Sequence, residues 1–312
     1  MIAVLMATYN GEKYLEEQFE SLLNQTYKDF ICYIHDDGSN DGTLGIINKY
    51  VKDYPEKFCY IDGEKTGSSM NNFFFLLSRV EADYYMFCDQ DDVWLPDKIK
   101  KTYLKVLDEE KKNVDKPILV FCDMKVVDKD LNVISDSFVK YNRLDVENLE
   151  FNRLIVQNSV AGCTSMFNRI ARDEGIKYKQ TESPECIMIH DWWITLVCAS
   201  MGKVRFVKEA LMLYRQHGDN NVGATKEYGF KVYIKLFFFL ITFSHIKKTK
   251  IRIEKFVRQA QQLEIYSLSG VNKEILNIIK NFYNMNKVQR IKAFKKYKIY
   301  RNRRNVWQLI CL

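Results

Sequence analysis

The sequence predicts an α/β fold with a mostly parallel central sheet and helices on both faces of that sheet. Short apolar runs alternate, along the first half of the chain, with segments whose apolar residues recur at helical spacing. Polar and acidic residues follow several of the apolar runs directly. In sheets of this kind ligands bind beyond the carboxyl ends of the strands, so these polar residues predict a binding site at that edge.

The predicted strands are short and apolar, and span residues 2–9, 30–37, 58–62, 84–89 and 117–123. Apolar residues at helical spacing predict helices that begin after Asn10, cover residues 44–51 and 71–80, and run from Pro96 to about Lys112. We expect a catalytic domain over residues 1–222 and a helical, basic region over residues 223–312. At 312 residues the chain is long enough to bury a full core.

Carboxylates follow two of the predicted strands. Asp36 and Asp37 end the second strand, and Asp89, Asp91 and Asp92 follow the fourth. Carboxylates this close repel one another, and burying them is costly unless a cation or a proton compensates. Oxygen ligands that alternate along a turn suit Mg²⁺ or Mn²⁺, which can bridge the oxygens of a diphosphate. The alternative is an exposed turn whose carboxylates cap the next helix.

Two later motifs add candidate functional groups. In "HDWW" (190–193), aromatic rings that enclose Asp191 would raise its pKa, which is the direction a general base needs. The alternative is that Asp191 begins a helix and the tryptophans fill the core. In "YRQHG" (214–218), Arg215 and His217 point the same way if the stretch is extended, and would complete a diphosphate site. The sequence contains no glycine-rich phosphate-binding loop.

The charge of the chain is unevenly distributed. After Val222 there are 20 Lys and Arg against 4 Glu, a net charge of +16, whereas the first 222 residues hold 27 basic and 36 acidic residues, a net charge of −9. A basic tail of this kind suits nucleic acid or an anionic membrane surface. The apolar segment 230–243 within it is too short to span a bilayer, which takes about 20 residues.

Cysteine usage and the N-terminal residues predict a location. The 8 cysteines form no CxxC pairs, and several lie inside apolar runs, as is typical of buried free thiols in a reducing compartment. The opening residues "MIAVLMATYN" lack the basic start and cleavage site of a secretory signal. We therefore expect a cytoplasmic protein.

Five motifs, in this order, resemble the family two inverting nucleotide-sugar glycosyltransferases, which have the GT-A fold. They are "ATYNGEKYLEEQFESLLNQTY", "DDGSNDGT", "DQDDVWLPDKI", "HDWW" and "YRQHG", and the resemblance covers about residues 1–222. "DQDDVW" and "YRQHG" are most similar to the rhamnosyltransferase-like subgroup of bacterial surface polysaccharide synthesis. The last 90 residues match nothing diagnostic.

The resemblance implies a role for each matching residue. Those implied to bind the nucleotide are Thr8, Tyr9, Asn10, Asp89 and either Asp36 or Asp37. The implied metal ligands, for Mn²⁺ or Mg²⁺, are Asp91, Asp89 and His217. Asp191 is the implied catalytic base, and those expected near the diphosphate or the acceptor are Arg215, Trp192, Gly162, Cys163 and Thr164.

The reaction implied is transfer of a sugar, with rhamnose a candidate, from a dTDP or UDP sugar to a glycan or polyprenyl-linked acceptor. We expect the basic region to bind the anionic inner face of the cell membrane, with a homodimer contact through the same region as a further expectation. One alternative is a nucleic-acid-binding protein, which the acidic front of the chain and the lack of a nucleic-acid-binding motif count against. The other is a nucleotidyltransferase, which would need a triphosphate-binding loop that we do not find.

Overall fold

A computed structural model describes residues 1–217 and 243–301. The predicted apolar segment 230–243 lies outside the described residues, apart from its last residue. The strands are β1 (Ile2–Thr8), β2 (Phe30–Asp36), β3 (Phe58–Tyr60), β4 (Tyr84–Cys88), β5 (Val93–Trp94), β6 (Ile118–Val127), β7 (Val133–Ser135), β8 (Ser165–Asn168) and β9 (Lys203–Arg215).

The helices of the described ranges lie between and after these strands. They are α1 (Leu15–Leu23), α2 (Thr43–Asp53), α3 (Ser69–Arg79), α4 (Lys98–Lys112), α5 (Phe138–Tyr141), α6 (Phe151–Leu154), α7 (Arg169–Gly175), α8 (His190–Met201), α9 (Phe243–Gln261), α10 (Gly270–Lys280) and α11 (Lys287–Lys296). None of them is both long and apolar enough to cross a membrane.

One sheet joins the described strands in the order β3-β2-β1-β4-β8-β6-β9-β5, with β7 paired to β6. The first four strands are parallel, so Thr8 lies beside Asp36 and Met6 lies beside Cys88. This register brings the carboxyl ends of β1, β2 and β4 to one edge. The polar residues that follow these strands therefore meet there.

The second half of the sheet brings the acidic turn after β4 against the end of β9. Strand β8 runs antiparallel between β4 and β6, and β9 is parallel to β6. The short strand β5 pairs antiparallel with β9, so that Val93 lies opposite Leu213. Because Asp91 and Asp92 precede Val93, this pairing holds them next to Arg215.

The two faces of the sheet carry separate apolar cores. Along β1, Ala3 and Leu5 belong to the core that contains α3 and α8, whereas Ile2, Val4 and Met6 belong to the core that contains α1, α2 and α4. This alternation is what a strand produces when both of its faces are covered. The predicted α/β class, with a mostly parallel sheet between helices, is confirmed.

The described C-terminal helices share the first of these cores. Ile253 and Phe256 of α9, Ile279 of α10 and Phe294 of α11 are buried in the same cluster as Trp193. This part of the chain is helical, as expected, and its apolar faces pack against the sheet domain. The domain boundary at residue 222 stays a prediction.

Candidate active site

A cavity of about 1680 Å³ opens at the carboxyl edge of the sheet. Most of the residues predicted from the sequence line this cavity: Thr8, Tyr9, Asn10, Asp37, Asp89, Asp91, Gly162, Cys163, Asp191 and His217. Four predicted residues are not among the lining residues: Asp36, Thr164, Trp192 and Arg215. The fold thus gathers into one place residues that the sequence spreads over more than 200 positions.

Hydrogen bonds join the turn after β1 to the turn after β2. Asn10 has a φ of 48°, in the left-handed region that Asn tolerates better than most residues. Its backbone N–H donates to Oγ of Ser39 at 2.8 Å, and its Oδ1 accepts from the backbone N–H of Asn40 at 2.9 Å. The two loops therefore form one wall of the cavity.

The structure distinguishes the two adjacent aspartates at the end of β2. Asp36 accepts hydrogen bonds from Thr8 Oγ1 at 2.8 Å and from the backbone and side chain of Ser39 at 2.7 and 2.6 Å. Both of its oxygens are thus used to close the turn. Asp37 lines the cavity, and its described contacts, from Thr66 and Gly67, all fall on Oδ1. No hydrogen bond to its Oδ2 is found among the described residues, in contrast to Asp36, which uses both oxygens.

Gln90, which the sequence analysis did not select, connects the acidic turn to the end of β1. Its Oε1 accepts from the backbone N–H of Tyr9 at 2.8 Å, and its Nε2 donates to the carbonyl of Tyr9 at 2.9 Å. Gly11 lies directly against this amide, since a Cβ there would come 2.4 Å from Oε1. The feature of the sequence that could have pointed to Gln90 is that it is an uncharged amide between two carboxylates, Asp89 and Asp91.

The acidic turn becomes more buried from Asp91 to Asp92. The side chain of Asp91 is 19% exposed, whereas Asp92 is fully buried. Burial and the neighbouring Asp91 raise the pKa of both Asp89 and Asp92 above the ordinary value of an aspartate. Asp92 accepts from the backbone N–H of Arg215 at 3.2 Å through Oδ1, while its Oδ2 has no partner among the described residues.

Arg215 and His217 come from the end of β9 and contact this turn from different sides. The Arg215 guanidinium, 2% exposed, donates to the carbonyls of Asp91 and Lys129 at 2.9 and 2.7 Å and also pairs with Glu17. It is therefore committed to protein contacts beneath the cavity surface. His217 lines the cavity, and its Nε2 lies 2.7 Å from Oδ2 of Asp91.

The chemistry of this cluster fits a divalent cation. Asp89, Asp92 and the thiol of Cys163 bring ligand atoms within 4.8 Å of one another. Burial is the main cause of the raised pKa values of Asp89 and Asp92, and repulsion from Asp91 adds to it, so a bound cation would stabilise their ionised forms. Oδ2 of Asp92, which is buried and has no hydrogen-bond partner among the described residues, is a further oxygen that a cation could contact. The carboxylate oxygens of Asp89 and Asp92 suit Mn²⁺ or Mg²⁺, whereas the thiol of Cys163, whose pKa burial raises, is not a ligand that these cations prefer.

Asp191 lies in the first turn of α8 and is held through both carboxylate oxygens. Oδ2 accepts from the backbone N–H of Gly162 at 2.9 Å, and Oδ1 accepts from Nδ2 of Asn158 at 3.1 Å. Burial raises the pKa of Asp191 to about 7 in spite of these hydrogen bonds. An aspartate with that pKa exchanges protons near neutral pH, as a general base must.

The residues around Asp191 are packed tightly. Beside it, His190 stacks on Phe73 with ring centres 4.2 Å apart, and burial lowers the pKa of this imidazole to about 3. A Cβ on Gly162 would lie 3.2 Å from both Cβ of Asp191 and Nε2 of His190. Glycine at this position therefore lets the loop approach the helix.

Two predicted acceptor contacts have structural partners instead. Trp192 is 7% exposed and donates its indole N–H to the carbonyl of Leu154 at 2.7 Å. Thr164 is buried, and its hydroxyl donates to the carbonyl of Ala161 at 2.7 Å. Neither side chain is directed into the cavity, so the placement of Trp192 agrees with the core-filling alternative.

Comparison with known proteins identifies the family. The family model "Glycosyl transferase family 2" matches residues 3–175. The dTDP-rhamnosyl transferase RfbG of Shigella flexneri is 30% identical over 234 residues, which cover 70% of this chain and 74% of that protein.

Solved structures share the fold at low sequence identity. The TarS fragment from S. aureus in complex with UDP superposes with a TM-score of 0.54 at 16% identity, covering 92% of this chain and 73% of that one. The mannosyltransferase PcManGT of Pyrobaculum calidifontis, in complex with GDP-Man and Mn²⁺, superposes with a TM-score of 0.55 at 14% identity, covering 94% and 73%. The structures show the shared fold, and the family model together with the relative at 30% identity confirms the predicted family: this chain belongs to glycosyl transferase family 2, with a dTDP-rhamnosyl transferase among its relatives.

Proposed function

We propose that the protein is a metal-dependent inverting glycosyltransferase that moves a sugar from a pyrimidine nucleoside diphosphate to a hydroxyl of a growing bacterial surface glycan. The observation that carries this proposal is that Asp191, with a pKa of about 7, lines the same cavity as Asp89, Asp91 and Asp37. A base and a candidate diphosphate site thus share one enclosure. Membership of a glycosyltransferase family takes the place of the nucleic-acid-binding and nucleotidyltransferase alternatives.

The donor in this proposal is a dTDP or UDP sugar. Asp37 would accept a hydrogen bond from the N–H of a pyrimidine ring, and Thr8, Tyr9 and Asn10 would line the nucleoside pocket. Support comes from RfbG, which is named as a dTDP-rhamnosyl transferase, and from the TarS fragment, whose structure contains UDP. Within this proposal, the name of RfbG favours rhamnose as the transferred sugar.

The candidate cation ligands are Asp91, Asp89 and His217. A bound Mn²⁺ or Mg²⁺ would supply Lewis-acid stabilisation of the charge on the departing diphosphate. The Mn²⁺ in the structure of PcManGT supports a divalent cation in proteins with this fold. The role of Arg215 is to hold the carbonyl of Asp91, and with it the acidic turn, from below.

Asp191 acts as the base in a single displacement. The acceptor hydroxyl oxygen forms a bond to the anomeric carbon, the bond from that carbon to the diphosphate oxygen breaks, and the hydroxyl proton passes to the Asp191 carboxylate. Attack from the face opposite the leaving group inverts the anomeric centre, with no covalent intermediate on the protein. General base catalysis of this kind contributes about 10²–10⁴-fold to the rate.

The acceptor approaches along the loop from Gly162 to Thr164, next to the base. We propose that it is carried on a lipid and that the basic C-terminal region holds the enzyme at an anionic membrane surface. Support comes from α11, where Lys287, Lys292, Lys295 and Lys296 are all exposed. A variant with these four lysines changed to Gln should no longer co-sediment with vesicles that contain phosphatidylglycerol. A control variant with exposed Lys52, Lys111 and Lys116 changed to Gln should keep it.

Calorimetric titration of UDP, dTDP, GDP and CMP, each with and without Mn²⁺, tests the donor half of the proposal. We expect one pyrimidine diphosphate to bind, and only in the presence of the cation, with binding lost in Asp91→Asn. NMR of the product made from the matching donor sugar should show an inverted anomeric configuration. Binding of no diphosphate under either condition, or retention of configuration, would contradict the proposal.

A further inference from the structure

Lys98 has an unusual position for a lysine. Among the described residues it is the only buried lysine, with no exposed surface, and it lies at the start of α4 behind the acidic turn. A buried ammonium is costly because it gives up its hydration, so its retention needs compensating contacts. A methionine of similar length would fill the same space without that cost.

The contacts of Lys98 join two parts of the active site. Its Nζ donates to the backbone carbonyl of Cys163 at 2.6 Å and lies 3.0 Å from the centre of the Trp94 ring, a cation–π contact. Trp94 belongs to β5, which directly follows the acidic turn. Cys163 belongs to the short helical turn Gly162–Thr164, next to the base. One ammonium thus connects the diphosphate side and the acceptor side of the cavity.

The contact with Cys163 acts on the residue next to it. Gly162 uses its backbone N–H to hold Oδ2 of Asp191, and a carbonyl fixed one residue later fixes the orientation of that turn. Burial lowers the pKa of Lys98, and fully buried Asp92 nearby is one of the groups that oppose this shift. Hydrogen bonds from neutral donors could have fixed the loop, but they would not also make the cation–π contact with Trp94.

We propose that Lys98 is a positioning residue for the base. By holding the Cys163 carbonyl, it keeps the Gly162 N–H bonded to Asp191 and keeps Asp191 at a fixed distance from the acidic turn. This inference rests on the proposed function of Asp191 as the base. Lys98 does not line the cavity, so it acts through the protein and not by touching substrate. A structural role alone would affect stability and leave the titration of Asp191 unchanged.

The test compares Lys98→Met with Lys100→Met, the same change at an exposed position on the same helix. In Lys98→Met we expect kcat to fall by about 10–100-fold, the loss that a displaced catalytic group produces, with the donor KM within about threefold of the wild type. The Gly162 hydrogen bond lowers the pKa of Asp191, so its loosening should move the acid limb of kcat to higher pH. Lys98→Arg, which keeps a cationic donor, should recover much of kcat. Lys100→Met should resemble the wild type in every respect.

The same shift can be read without any turnover. The carboxyl ¹³C signal of Asp191, assigned by its absence in Asp191→Asn, should titrate at higher pH in Lys98→Met than in the wild type. The other ionisable groups beside Asp191 are Asp89, whose signal is followed in parallel, and His190 and Cys163, which burial keeps neutral near pH 7. If Lys98→Met does not fold, Lys98→Gln serves as the uncharged variant.

The outcomes separate this inference from the proposed function. Folded Lys98→Met with the wild-type kcat and Asp191 titration would overturn it, and so would loss of donor binding with that titration unchanged. A wild-type enzyme that neither binds a donor nor transfers sugar would refute the proposed function. In that case a shifted Asp191 signal would still support the positioning role of Lys98.

Discussion

The backbone N–H of Gly162 donates to Oδ2 of Asp191 at 2.9 Å, and this bond links the loop before β8 to the first turn of α8. A hydrogen bond to a carboxylate stabilises its charged form, whereas burial opposes it. Burial is the larger of the two effects here and leaves the pKa at about 7. The carboxyl is thus fixed in space and balanced between its two protonation states.

Replacing Asp191 by Asn should separate catalysis from binding. The amide keeps the shape of the side chain but does not accept a proton, so we expect kcat to fall by about 10²–10⁴-fold. Donor affinity, measured by calorimetry with Mn²⁺ present, should stay within threefold of the wild type, because Asp191 is not among the proposed donor contacts. Substantial turnover in the variant would remove Asp191 as the base.

The same substitution should stabilise the protein above neutral pH. An aspartate whose pKa rises from 3.8 to about 7 on folding destabilises the folded state once it is ionised. The cost grows as the pH rises from 4 to 7 and reaches at most about 4 kcal/mol at higher pH. Asp191→Asn should therefore melt at a higher temperature than the wild type at pH 8.

That gain should shrink to about 0.6 kcal/mol as the pH falls to 4, where the carboxyl is protonated in the folded state and in somewhat under half of the unfolded molecules. Thermal unfolding at pH 4, 6 and 8 measures the trend. A difference in melting temperature that does not change with pH would show that the carboxyl is not destabilising for this reason. It would also contradict the raised pKa.

Much of the fold could be predicted because short apolar runs mark the strands and apolar residues at helical spacing mark the helices. The apolar runs at 2–9 and 84–89 became β1 and β4, and the helix predicted from Pro96 to about Lys112 is α4 (Lys98–Lys112). The strand predicted at 117–123 continues to Val127, since its later residues pair with the end of β9. That pairing joins positions some 90 residues apart, and local pattern does not reveal such a partner.

The candidate site was partly predictable for a related reason. Acids at the ends of parallel strands must meet at one edge, so Asp37, Asp89 and Asp91 could be placed together from sequence. The contributions of Gln90 and Lys98 depend on backbone groups that these side chains reach after folding, at Tyr9 and Cys163. A lysine in a basic amphipathic helix gives no sign that it alone faces inward. The choice between Asp36 and Asp37 likewise needed the turn geometry.

His217 should tune the affinity for the cation. Its Nε2 lies 2.7 Å from Oδ2 of Asp91, so it either shares the ligation or orients the carboxylate that does. We expect His217→Ala to raise the Mn²⁺ concentration for half-maximal donor binding by about 10–100-fold. Removal of metal by EDTA should abolish donor binding in both proteins, and added Mn²⁺ should restore it. Equal Mn²⁺ requirements in variant and wild type would exclude His217 from the site.

A methyl group at Gly11 should disturb the turn after β1, which lines the proposed nucleoside pocket, and leave the catalytic step unchanged. A Cβ there would come 2.4 Å from Oε1 of Gln90, so the amide must give up at least one of its two bonds to Tyr9. Each such bond contributes about 1 kcal/mol, and the turn that carries Tyr9 should loosen accordingly. We expect Gly11→Ala to weaken donor binding by about 5–10-fold, with kcat at saturating donor within about threefold of the wild type.

Gly45→Ala is the matched control for this change. Gly45 is exposed on α2, and a Cβ there would meet nothing within 4 Å. Alanine in a helix is more stable than glycine by about 0.5–1 kcal/mol, so this variant should melt slightly higher and bind donor normally. Unchanged donor affinity in Gly11→Ala, with the control behaving as stated, would mean that the Gln90 amide moves aside at no cost. The cavity wall formed by the turns after β1 and β2 would then not depend on the hydrogen bonds between Gln90 and Tyr9.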